Sequence, residues 1–159
     1  MTGRLLGIAR KSRPKGAVET IDRALVGLES GIEGDFRGRI KPGGRGRRQV
    51  TAMMKADWDA AMAELGHPPV VWSDRRVNLL VDGIDLPRDP GARLRIGSAL
   101  FEITGECDPC QRMEGVAVGL EAALTPDWRG GRTMRVIGAG AIALGDPVTL
   151  DIHNLREAV

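Results

Sequence analysis

Residues 92–104 read "ARLRIGSALFEIT". In Ala92–Ile96 the apolar residues alternate with Arg93 and Arg95. After Gly97-Ser98, Ala99, Phe101 and Ile103 alternate with Leu100, Glu102 and Thr104. A period of two marks a strand with one buried and one wet face. A glycine with a small polar residue between two such runs is a hairpin turn. The stretch therefore predicts a β-hairpin with its tip at Gly97-Ser98. Its second strand runs straight into "GECDPCQRME", residues 105–114, which holds the only two cysteines of the chain.

Outward from this hairpin the pattern stays β-rich. The 22 glycines are spread between short apolar runs, which favours a compact, mostly β fold of barrel type. "GRLLGIAR" and "GAVETI" read as early strands, "RRVNLLVDG" as a middle strand, and "TMRVIG", "AIALG" and "PVTLDI" as three closing strands. Met53–Leu65 reads as a helix, because Met54, Trp58, Met62 and Leu65 recur at helical spacing before Gly66 and "HPP". A short second helix is expected over Val116–Leu124, stopped near Thr125-Pro126. The 159 residues fit a single domain, 1–159, with enough chain to bury a core.

Composition narrows the function classes. A hydrophobic share of 42% with 28% charged residues is that of a folded soluble domain. The net charge of +2 gives no global case for nucleic acid, and with no Tyr, two Phe and three Trp a base-stacking platform is not expected. No apolar run approaches membrane-spanning length, and "MTGRLLGIAR" does not read as a signal peptide. A cytoplasmic location is expected, where thiols stay reduced.

The cysteines then admit four uses. One C-x-x-C supplies two zinc ligands where a structural site wants four, and His67 and His153 stand alone. A thioredoxin-like pair would open a helix after a strand, whereas this one follows a hairpin. Two packed, inert thiols are an ordinary outcome. A single reactive thiolate is the fourth use. Arg112 lies two residues beyond Cys110 as a stabilising cation, and Pro109 stiffens the loop.

The second unusual stretch is "SGIEGDFRGRIKPGGRGRRQVT", residues 30–51. Glycine alternates with Arg37, Arg39, Lys41, Arg45, Arg47 and Arg48. It reads as a flexible segment outside the core, able to wrap a phosphate or another anion, and Arg37–Arg47 is expected to order around its ligand. A further basic pair, Arg75-Arg76, precedes Asn78. A solvated loop and a nucleic-acid arm are the competing readings.

Taken in order, "GIEGD", "RRQVT", "RRVNLLVDGIDL", "LRIGSALFEITGECDPCQRM", "WRGG" and "AIALGDPV" resemble a MOSC domain, the family named for the C-terminal domain of molybdenum cofactor sulfurases. The likeness spans about residues 30–150 and is of the small standalone bacterial type. It implies a MOSC-type β-barrel with a few short α-helices. It also implies one functional cysteine, a molybdenum ligand or sulfur carrier, matching Cys110, with Cys107 as a companion or resolving thiol. Asp35, Arg48, Arg75, Arg76 and Asn78 match recurrent positions, and their charge suggests binding of the phosphate of a molybdopterin-type cofactor. Arg48 and at least one of Arg75 and Arg76 are then expected near the cysteine loop. The likeness includes no desulfurase region, so use of pyridoxal phosphate is not expected of this chain alone.

The function so implied is binding of a molybdenum cofactor or molybdenum ion. It would support reduction of N-hydroxylated compounds or sulfuration of the cofactor. The rival is a non-enzymatic carrier of cofactor or persulfide, serving a cofactor-biosynthesis or reductase protein. A zinc- or nucleic-acid-binding module is the third reading.

Overall fold

The computed structural model describes residues 2–151. The expected hairpin is present as β7 (Arg93–Ile96) and β8 (Ala99–Glu106), and Gly97 takes φ +56 at its tip. Leu94, Ile96, Ala99, Phe101 and Ile103 are all fully buried, so the alternation does set the face. Around them run β1 (Gly3–Arg10), β5 (Val50–Met54), β6 (Leu79–Asp82), β9 (Arg132–Gly138) and β11 (Pro147–Leu150). The order β11-β7-β8-β9-β5-β6-β1 closes on itself through β1 and β11, a seven-strand barrel. Closure pairs Gly3 with Val148 and Arg4 with Pro147. β2 (Glu19–Ile21) adds to β1 outside the ring. A small second sheet joins β3 (Arg23–Gly27), β4 (Gly31–Ile32) and β10 (Gly140–Ala143).

β5 and β6 are parallel, so a crossover must join them. That crossover contains α1 (Lys55–Glu64). The helix starts two residues later than the sequence pattern implies. Met53 and Met54 instead extend β5, pairing with Leu80 and Val81. Strand pairing satisfies their backbone groups before the helix begins, and Met54 packs against the barrel core. Trp58 and Met62 keep the expected inward face. The second helix is also shorter than expected. A 3₁₀ turn, Gln111–Gly115, comes first, and α2 covers only Leu120–Leu124 after Gly119 at φ +86.

Two apolar cores result. One fills the barrel around Phe101, Leu5 and Leu79. The other lies outside it, where Met53 and Leu80 meet α1, α2, Met113 and Cys107. Several strand ends also move. "GAVETI" contributes only Glu19–Ile21, and "RRVNLLVDG" only Leu79–Asp82. "PVTLDI" contributes Pro147–Leu150, while Ile152 and His153 lie outside the described residues. Residues 30–51 are not wholly outside the core. Ile32 is fully buried, and Gln49 is buried with its amide bonded to Leu28 O (3.0 Å) and Val136 N (2.8 Å).

Phe101→Ala should remove about 3–5 kcal/mol of stability, the usual cost of an aromatic cavity in a closed core. Urea unfolding followed by circular dichroism measures it. A loss below about 1 kcal/mol would mean the barrel interior is not packed as described.

Candidate functional site

A cavity of about 540 Å³ opens at one end of the barrel. Its floor and walls come from four places. The end of β1 and the residues after it give Ala9, Arg10, Lys11 and Val18; the glycine–basic loop gives Asp35 to Gly46; the lead-in to β5 gives Arg48 to Thr51; and the turn before β6 gives Arg76, Val77 and Asn78.

Asn78 fixes the floor. Its Oδ1 accepts from Thr51 N (3.0 Å) and Oγ1 (3.2 Å), and its Nδ2 donates to Ala9 O (3.1 Å), so it ties β1 to β5. Asp35 fixes the loop, accepting from Lys11 N at 3.0 Å. Ile40 N donates to Glu29 O (2.9 Å), and the Thr104 hydroxyl bonds Arg47 O. The loop is thus anchored to the barrel while its guanidinium groups stay exposed.

The lining holds Arg10, Lys11, Arg37, Arg39, Lys41, Arg48 and Arg76 against one carboxylate, Asp35. Arg10 is engaged by Glu19 at 2.5 Å. Arg39, Lys41, Arg48 and Arg76 make no ion pair among the described residues. The ammonium of Lys11 is held below the usual lysine range, first by burial, then by the charges of Arg76 and Arg37. Asp35 opposes this, and Arg112 adds to it. Phe36 lies under Arg37 (5.5 Å) and Lys11 (5.9 Å), in cation–π geometry.

The cysteine loop sits beside this cavity, not in its wall. Cys107 is 3% exposed, and Cys110 is exposed at the start of the 3₁₀ turn. The guanidinium of Arg75 is buried and donates through Nη2 to Cys107 O (3.0 Å) and Gly130 O (3.0 Å), with Cys107 Sγ at 3.6 Å. Arg48, on the cavity wall, reaches the same sulfur at 4.0 Å. Arg75 thus holds two loops together, and its neighbour Arg76, in left-handed conformation at φ +70, faces the cavity. A Cβ on Gly130 would stand 2.5 Å from Cys107 O and 3.1 Å from Arg75 Nη2, so only glycine permits the approach. Just before the loop, the Glu106 carboxyl is pushed up by burial, then by its hydrogen bond to Asp108 and that residue's charge.

Sequence reasoning singled out Asp35, Arg48, Arg76 and Asn78, and all four line the cavity. Arg75 lies behind it. Lys11, Phe36 and Gln49 were missed. The basic run "ARKSRPKG" was the available signal for Lys11, but nothing local tied it to the loop. No group of three or more metal-ligating His, Cys, Asp or Glu side chains occurs among the described residues. None of their helices is long and apolar enough to cross a membrane.

The architecture is thus a closed barrel with a basic cavity beside a cysteine loop. The chain matches the MOSC domain over residues 36–149, and it belongs to that family. Its fold is that of the YuaD protein of Bacillus subtilis (TM-score 0.72, 21% identity, 93% of this chain and 94% of that one). It is also that of YiiM from Escherichia coli (0.67, 18%, 92% and 69%) and from Geobacillus stearothermophilus (0.68, 16%, 93% and 74%). No curated protein sequence matches the chain.

Burial predicts the order of thiol labelling. Iodoacetamide at neutral pH should modify Cys110 faster than Cys107 by about tenfold or more. Gly130→Ala should pry the loop from Arg75 and shrink that ratio. Peptide mass mapping over time reads both, and equal rates in the unaltered protein would contradict the buried position of Cys107.

Proposed function

We propose that the chain binds a molybdopterin-type molybdenum cofactor, its phosphate held in the basic cavity and its metal beside the cysteine loop. Arg48 carries this reading, because one guanidinium lies on the cavity wall and also touches the sulfur of Cys107. The residues suit such a group. Arg48 and Arg76 offer donor forks to a phosphate. Phe36, Ile40 and Val77 give apolar wall for a flat ring system. A thiolate is a soft ligand of the kind molybdenum takes. When bound, the cofactor supplies oxygen- or sulfur-atom transfer at its metal, the chemistry needed to reduce N-hydroxylated compounds.

Cys110 is the residue proposed to ligate the metal or carry sulfur. It is exposed, it follows Pro109, and it opens the turn that carries Arg112. Cys107 supports it as the companion thiol, fixed by Arg75. Arg75 is proposed to act on the cofactor through that loop, since its Nη2 is engaged by Cys107 O and Gly130 O and it lies behind the cavity rather than in its lining. A carrier role is a second reading favoured by the exposure of Cys110, which lets a cofactor-biosynthesis or reductase protein reach it.

Freshly purified protein should contain molybdenum by elemental analysis and release a fluorescent oxidised pterin. Cys110→Ser should lose the metal, Cys107→Ser should only weaken its retention, and Arg48→Ala with Arg76→Ala should release the pterin. Full molybdenum retention by Cys110→Ser would overturn the ligand assignment. Turnover of an N-hydroxylated compound by loaded protein separates the enzyme from the carrier.

A further inference from the structure

We propose that the basic cavity takes a diphosphate ester, so that the phosphate of the proposed ligand is the first of two linked phosphoryl groups. The inference rests on reading the cavity as the anion site of the proposed function, and it goes further by naming the charge of the ligand.

The positive charge is more than one phosphate needs. A phosphate monoester carries a charge of about −1.5 to −2 near neutrality, which one or two guanidinium forks can meet. The lining offers Lys11, Arg37, Arg39, Lys41, Arg48 and Arg76, beyond the Arg10 already engaged by Glu19. One carboxylate, Asp35, stands among them, and one of its oxygens already accepts from Lys11 N. These cations come from separate segments that the fold gathers. Arg48 is held at the thiol end, while Arg37, Arg39 and Lys41 alternate along the loop. Gathering them costs stability, because like charges crowd one another, and a single phosphate relieves only part of that crowding. A second phosphoryl group relieves more of it.

The shape agrees with an ester. Inorganic phosphate would leave most of about 540 Å³ empty. Val18, Phe36, Ile40 and Val77 give the wall an apolar share that a free polyphosphate has no use for.

The test is calorimetric titration of the full chain at constant ionic strength with inorganic phosphate, pyrophosphate, AMP and ADP. Pyrophosphate should bind about tenfold or more tighter than phosphate, and ADP should exceed AMP by a similar factor. In the double variant Arg39→Ala/Lys41→Ala both ratios should fall to about threefold or less. Both residues are exposed, so the melting temperature serves as the folding control. Equal affinity for phosphate and pyrophosphate would overturn the proposal, as would ratios that survive the double variant. A gain for pyrophosphate without one for ADP would overturn the ester. A single-stranded oligonucleotide that binds more tightly than ADP would also overturn the proposal, in favour of nucleic acid. Molybdenum and pterin content of the same preparations reads the earlier proposal separately. Retained pterin with no diphosphate preference defeats this inference alone.

Discussion

Everything in this molecule hangs from β1. Its first residues pair with β11, its middle with β6 and its last with β2, so one strand closes the barrel and also extends past it. A strand with unpaired edges is a liability, and closure removes it. The cost is geometric. With the ring closed, β5 and β6 lie parallel, and α1 must cross outside to join them. That crossover builds the second core, and Cys107 is part of it. The overrun of β1 carries Arg10 and Lys11 to the cavity.

Arginine plays two opposed parts here, and burial decides which. Arg75 and Arg132 are inside the protein, and both donate to main-chain carbonyls. Arg75 clamps Cys107 and Gly130, while Arg132 reaches Pro87 (3.1 Å), Trp128 (2.9 Å) and Leu86 (2.8 Å). A buried guanidinium must have such partners, and removing one side leaves carbonyls unpaired. The cavity arginines other than Arg10, which pairs with Glu19, are exposed and lack ion pairs among the described residues, so they cost little to keep charged. The net charge of +2 conceals this, because the excess is gathered at one place.

The cysteine loop sits where these two systems meet. Its main chain is held from behind by Arg75, and the sulfur of Cys107 is approached from the cavity by Arg48. The clamp on the loop and the charges of the cavity are therefore separate sets of residues.

Much of this was written in the chain itself. The alternation through 92–104 fixed the hairpin and its buried face, because a period of two admits one inward set. Glycine mixed with arginine over 37–48 marked a basic loop, and the structure sets Arg37, Arg39, Lys41 and Arg48 in the cavity lining. The C-x-x-C located the thiols. Local sequence could not separate Arg75 from Arg76. They are neighbours of one type, and a 3₁₀ turn ending in a left-handed residue sends one inward and the other to the cavity. Nor could it reveal that Cys107 is sealed while Cys110 is open, since Arg75 and Gly130 lie 32 and 23 positions away. Met54 fits a helical stripe that starts at Met53, yet pairing with β6 drew both into a strand. Periodicity reports which face is apolar. Which distant segment covers that face, and which charges are left over, is settled only when the barrel closes.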